Sequence, residues 1–118
     1  KFKNDPQVIK QFDDLQAEPV SLESRQKAKE LNLKGIELYK AKEYQESIFC
    51  FRNAMDISPR HPGIILNFVQ SHLLKMKKEG VEIKDVEMCL DYISRLNYLP
   101  EDHYQYDRYS KLKQNLKS

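Results

Sequence analysis

Glycine is nearly missing from this chain, with three residues in 118. A backbone cradle for phosphate needs several glycines close together. Gly35, Gly63 and Gly80 stand far apart, so no such loop is written here. Proline is scarcely commoner: Pro6, Pro19, Pro59, Pro62 and Pro100, with Gly80, are the main punctuation. Cysteine is limited to Cys50 and Cys89, with no short spacing between them. Both sit in apolar, helix-periodic surroundings and read as reduced core thiols, since free cysteine behaves as a small hydrophobe. An excess of charge of one sign is lacking too. Twenty basic residues face eighteen acidic ones, a net +2, where a dedicated polyphosphate binder carries a clear basic excess. No apolar run approaches the roughly 20 residues of a membrane span, and no leader segment is recognisable at the start. A cytoplasmic protein without a membrane partner is the expectation. Because the sequence begins with Lys1 rather than methionine, a piece of a longer protein is expected as well.

Between the breaks, the apolar residues recur with a period of 3.6, not 2. Six helices and no strand are expected, an all-α fold. Asp5 and Pro6 suit a helix start, and Val8, Ile9, Phe12 and Leu15 line one face of a short first helix. Residues 1–20 thus form a short helix and linker ahead of the main domain, 21–118. That apolar face needs a partner: the main domain, a second copy of the chain in a homodimer, or an upstream domain. Ser21 caps a long helix to about Ala41, polar before Leu31. The next helix, Glu43 to Ser58, carries Tyr44, Ile48, Phe51 and Met55 as one stripe. Pro62 opens a helix too apolar for one face, with Ile64, Ile65, Leu66, Phe68, Val69, Leu73, Leu74 and Met76. Such a helix is central and packed on both sides. Val86, Cys89, Leu90, Ile93 and Leu96 mark the fifth helix, and Tyr106, Tyr109, Leu112 and Leu116 a last one from about His103.

Gly35 is the anomaly in this pattern, because a glycine inside a helix costs about 1 kcal/mol relative to alanine. From Ala28 to His61 the chain forms a helix–turn–helix unit of 34 residues. Leu31, Gly35 and Leu38 on its first helix are followed by Tyr44, Ser47, Ile48, Phe51 and Ala54 on its second, with Pro59 ending it. In period and in this large-and-small pattern the unit resembles the tetratricopeptide repeat. Lys34 and Lys42 depart from it, standing where the family has a leucine and a turn glycine. A second, longer unit runs from Pro62 to about Pro100, with Val69 at the small-residue position. A half unit follows, with Tyr106, Tyr109 and Ser110 in matching places. The resemblance implies antiparallel helix pairs in a right-handed superhelical array, about two and a half repeats, with the N-terminal helix as an extra. It also implies that Gly35 faces the second helix near Ser47 and Ile48, so that close packing offsets its cost. "AKELNLKGIELY", "HPGIILNFVQSHLL" and the tyrosine-rich close further resemble the C-terminal output region of some bacterial response regulators.

No catalytic constellation emerges. His61, His72 and His103 are scattered, without metal-ligand spacing. No cofactor is expected. The function implied by the resemblance is a non-enzymatic protein-interaction module, the output or adaptor part of a larger signalling protein, which binds a partner protein or peptide in a groove. Carried over residue by residue, that groove comprises Asn32, Ile36, Tyr39, Lys40, Asn67, Gln70, Leu73, Tyr104 and Arg108. Asn67 and Arg108 match the family's carboxylate-gripping positions. Asn32, Ile36 and Tyr104 replace two lysines and an asparagine there, leaving a more neutral groove. An asparagine on a central helix is costly unless its amide finds partners, and either a neighbour or a ligand could supply them. Two rival functions stand beside this one: an enzyme using a spatially assembled Cys89 or His72, and a single-stranded nucleic-acid binder stacking bases on its tyrosines. The charge balance argues against the second.

Overall fold

Leucine, lysine, glutamate and glutamine favour helix wherever no proline intervenes, and the computed structural model, which describes residues 21–117, is helical accordingly. Five helices, and no strand, occur among the described residues: α1 (Leu22–Lys40), α2 (Tyr44–Ile57), α3 (Pro62–Glu79), α4 (Ile83–Ser94) and α5 (Tyr106–Lys117). The fold is all-α. The expected helix over Val8–Leu15, and the division at residue 20, lie outside the described residues.

Local chemistry sets the helix ends. Ser21 caps α1, its Oγ accepting from the Ser24 amide at 3.1 Å. His61 does the same for α3 through Nδ1, which accepts from the Ile64 amide at 3.1 Å, and Pro62 follows at the first helical position. At the end of α1 the chain turns through Lys42, whose φ is +65°. The Glu43 amide donates to the Leu38 carbonyl at 2.9 Å, and the Lys42 amide donates to the Tyr39 carbonyl at 3.0 Å. These two bonds form a Schellman close, in which the left-handed position normally belongs to glycine. α3 ends instead at Gly80, with φ +109° and ψ 155°.

Each helix packs on the next, and α3 also touches α1 and α5. Every residue from His61 to Val69 is buried, so α3 is the central helix its composition demands. The first hairpin closes on small residues. Ala28, Ser47 and Ala54 are wholly buried. A Cβ built on Gly35 would lie 2.5–2.8 Å from three ring carbons of Phe51. The glycine therefore does face α2, and the atoms it admits belong to Phe51 rather than to Ser47 or Ile48. The gain is a fully buried aromatic ring, worth more than the roughly 1 kcal/mol of helix propensity forgone. The Ser47 hydroxyl donates to the Tyr44 carbonyl at 2.8 Å and so carries no unpaired polar atom into the seam.

Two boundaries differ from expectation. The fifth expected helix, α4, stops at Ser94, and turns from Arg95 to Leu99 carry the chain onward. α5 begins at Tyr106, not His103, because the His103 ring Nδ1 accepts from the Gln105 amide at 3.1 Å and holds a turn there.

Candidate functional site

Where α1, α3 and α5 meet, polar side chains form a ladder across three helices. Asn67 donates from Nδ2 to the Asn32 Oδ1 at 2.8 Å. Arg108 donates from Nη2 to the Asn67 Oδ1 at 2.6 Å. Gln70 Oε1 accepts twice from the same guanidinium, from Nε at 3.1 Å and from Nη2 at 2.8 Å. Helical spacing explains the set: Asn67 and Gln70 are three residues apart and share a face of α3. Asn32 and Asn67 are buried, and Arg108 is half-buried. The Ser71 hydroxyl closes the inner side by donating to the Asn67 carbonyl at 2.9 Å.

The electrostatics of the ladder are one-sided. Arg108 is held by two neutral amides, and no carboxylate among the described residues pairs with it. Burial pulls its pKa down from the ordinary guanidinium value, and the nearby Tyr39 phenol opposes this. A guanidinium stays charged through such a shift. The Tyr39 phenol is pushed up by its own burial against the pull of Arg108, so it remains a neutral donor. Tyr39 stands edge-on to Tyr44, with ring centroids 5.8 Å apart.

The nine groove residues inferred from the sequence divide into three groups. Asn32, Asn67, Gln70 and Arg108 are joined by hydrogen bonds, with Tyr39 beside them. Ile36 and Leu73 are half-buried and pack against the core. Lys40 is exposed in the last turn of α1, and Tyr104 precedes α5 in a turn, stacked on His103 at 4.8 Å. The Asn67 amide has protein partners at both ends, which satisfies it internally. Gln70, by contrast, turned out to be the residue that grips Arg108 twice. Its place three residues after Asn67, on the same face of the helix, is the signal for it.

Cys89 and His72 carry different chemistry from a nucleophile and its base. Cys89 is wholly buried, and burial, reinforced by Asp85, pushes its thiol up to about 12. It is protonated at neutral pH, and the thiol is a poor nucleophile. Burial lowers the pKa of His72, with Asp85 opposing and Lys75 assisting. Its ring packs edge-on to Phe68 at 4.7 Å, and its buried Nδ1 has no partner. No group of three or more His, Cys, Asp or Glu able to hold a metal occurs among the described residues, and none of the described helices is long and apolar enough to cross a membrane. Neither a scan of family models nor searches of curated proteins and solved structures found a match to this chain.

Proposed function

We propose that this chain is a non-enzymatic protein-interaction module of the tetratricopeptide kind, whose three-helix polar ladder receives a carboxylate-bearing segment of a partner protein. One observation carries the reading: Arg108 is a half-buried cation dressed by neutral amides alone. Partly desolvated charge favours a counter-ion, and within the described chain there is none. Gln70 Oε1 occupies the Nε–Nη2 edge, where one oxygen of a carboxylate would otherwise sit. Nη1 takes no part in the ladder and is the donor left for a ligand. Tyr39 adds a neutral hydroxyl close by. Because the core beneath the ladder is packed, binding orders little of the protein, which keeps its entropic cost low. The resemblance noted above extends the reading to the output part of a larger bacterial signalling protein in the cytoplasm. Two free thiols suit that compartment.

The test is a library of short peptides with free C-terminal carboxylates, screened beside the same library amidated. Carboxylate-dependent binding should fall about ten- to a hundredfold in Arg108→Gln, the equivalent of one charge-assisted hydrogen bond. Asn67→Ala should lower the melting temperature before it touches binding, since its amide is a strut. Equal capture of both libraries by wild type, or equal capture by a folded Arg108→Gln protein, would refute the reading.

A further inference from the structure

The flank of α5 turned away from Arg108 forms one wall of a second recess. Ser110 and Lys117 lie about 160–180° around the helix from Arg108, so the two sites do not share a surface. The recess is a cleft of about 580 Å³ between α5 and the turns that follow α4, within the range of small-molecule sites. Its far wall is fixed. Leu96 and Leu99 are buried, and the Tyr109 hydroxyl donates to the Asn97 Oδ1 at 2.5 Å, tying those turns to α5. Tyr106, Leu99 and Pro100 give the cleft an apolar side.

The other side is cationic. Lys113 and Lys117 are four residues apart and share the face of α5 that lines the cleft. Lys113 is half-buried and bends over the Tyr109 ring, its Nζ 5.6 Å from the centroid and 3.4 Å from the hydroxyl oxygen. No carboxylate among the described residues pairs with either lysine. Glu101 is the one acid on the lining. Two lysines against one glutamate suit a single anionic head, not a polyanion. Two like charges one turn apart are mildly destabilising in the free helix, and an anion between them relieves that.

We propose that this cleft binds a small organic anion, a carboxylate or phosphate monoester on a flat ring. The head lies between Lys113 and Lys117, with Ser110 as a hydroxyl donor, and the ring rests against Tyr106, Leu99 and Pro100. Phenyl phosphate, inorganic phosphate, benzoate and phenol are the probes, titrated into the whole 118-residue chain at constant ionic strength and followed by amide NMR. The expected result is saturable shifts at Asn97, Ser110 and Lys113 with phenyl phosphate and benzoate. Inorganic phosphate should bind several-fold more weakly, and phenol should not saturate. The double substitution Lys113→Gln, Lys117→Gln should weaken phenyl phosphate at least tenfold. Should that protein melt differently from wild type, Lys117→Gln alone, at an exposed position, still predicts a several-fold loss. Shifts spread over all surface lysines, including Lys77 and Lys78, would overturn the site, as would unchanged affinity in the folded variants. Shifts centred on Asn67 and Gln70 would also overturn it, while supporting Arg108 as the anion's seat.

Discussion

The two helical hairpins make opposite choices at the same two places, the seam and the turn. In α1–α2 the seam holds a glycine, Gly35, against the Phe51 ring, while the turn forces a lysine, Lys42, into φ +65°. In α3–α4 the residue 34 positions after Gly35 is Val69, wholly buried. Its glycines are Gly63, buried in the first turn of α3 beside His61 and Gln105, and Gly80, in the turn that closes the helix. One hairpin is thus tight along its length and strained at its end. The other is relaxed at its end, and its helix α3 carries a buried imidazole whose Nδ1 has no partner, that of His72. A hairpin's stability therefore depends on where its few glycines fall, and each hairpin has its own weak point.

The largest effect is expected at Gly35. Gly35→Leu gains nearly 1 kcal/mol of helix propensity. It also places its Cβ 2.5 Å from a ring carbon of Phe51, a side chain 1% exposed with no free space to retreat into. Overpacking of this kind costs up to about 3 kcal/mol and so outweighs the propensity. Denaturant melts should show it. A neutral result would mean that the α1–α2 seam is not the tight one.

Gly80→Ala comes next. Nothing lies within 4 Å of the added methyl, so any loss is backbone strain alone. At φ +109° and ψ 155° an L-residue pays about 1–3 kcal/mol, of which the stiffer unfolded chain offsets about 0.4–1 kcal/mol. If the melts show no loss, the relaxed turn is not relaxed by its glycine.

The third effect separates the seams by pH. His72 has a pKa below its unfolded value, because burial penalises the charged ring, with Lys75 adding to this and Asp85 opposing it. The unfolded chain then binds the proton more readily than the folded one, so stability rises with pH. The contribution is complete above about pH 6.5 and is lost as pH falls toward the folded-state value. One group can supply a slope of at most about 1.4 kcal/mol per pH unit. The urea midpoint of wild type relative to that of His72→Phe, measured from about pH 7.5 downward, should fall as acid removes wild-type stability. A constant difference would take His72 out of the account.

How far such features could be read in advance follows the range of the interactions. Gly35, Phe51 and Ala54 announce the first hairpin because helical stripes are local patterns. The run from Ile64 to Val69 announces a central helix for the same reason. The ladder was half legible: Asn32, Asn67, Gln70 and Arg108 were candidates. That they bond one another could not be read, since its partners lie 35 to 41 residues apart. His61 is not legible as a helix cap because a neutral imidazole plays there the part usually given to serine or asparagine. The sequence alone places Tyr104 on α5, because no glycine or proline follows Pro100 to mark where the turns end. A histidine ring bonded to the Gln105 amide delays the helix instead.

The smallest effect is expected at the strained turn. Lys42 occupies the left-handed position of a Schellman close whose two hydrogen bonds are both made. For an L-residue that conformation costs roughly 1–2 kcal/mol. Glycine occupies it freely, but Lys42→Gly also loosens the unfolded chain, which costs about 0.4–1 kcal/mol. The two terms nearly cancel, and the backbone term is slightly the larger. A gain of about 0.5 kcal/mol is expected, seen as a small upward shift in urea midpoint with an unchanged slope. Lys42 is exposed and has no side-chain partner to lose, so packing does not blur the comparison. The double variant Lys42→Gly, Gly80→Ala would exchange the turn chemistries of the two hairpins. Because a methyl at residue 80 meets nothing within 4 Å and Lys42 is exposed, the two changes share no partner, and the effect should equal the sum of the single changes to within about 0.5 kcal/mol. A gain at residue 42 beside a loss at residue 80 would show that each turn's backbone, and not its surroundings, sets its residue. A loss at both would mean that Lys42 contributes something beyond its strained φ.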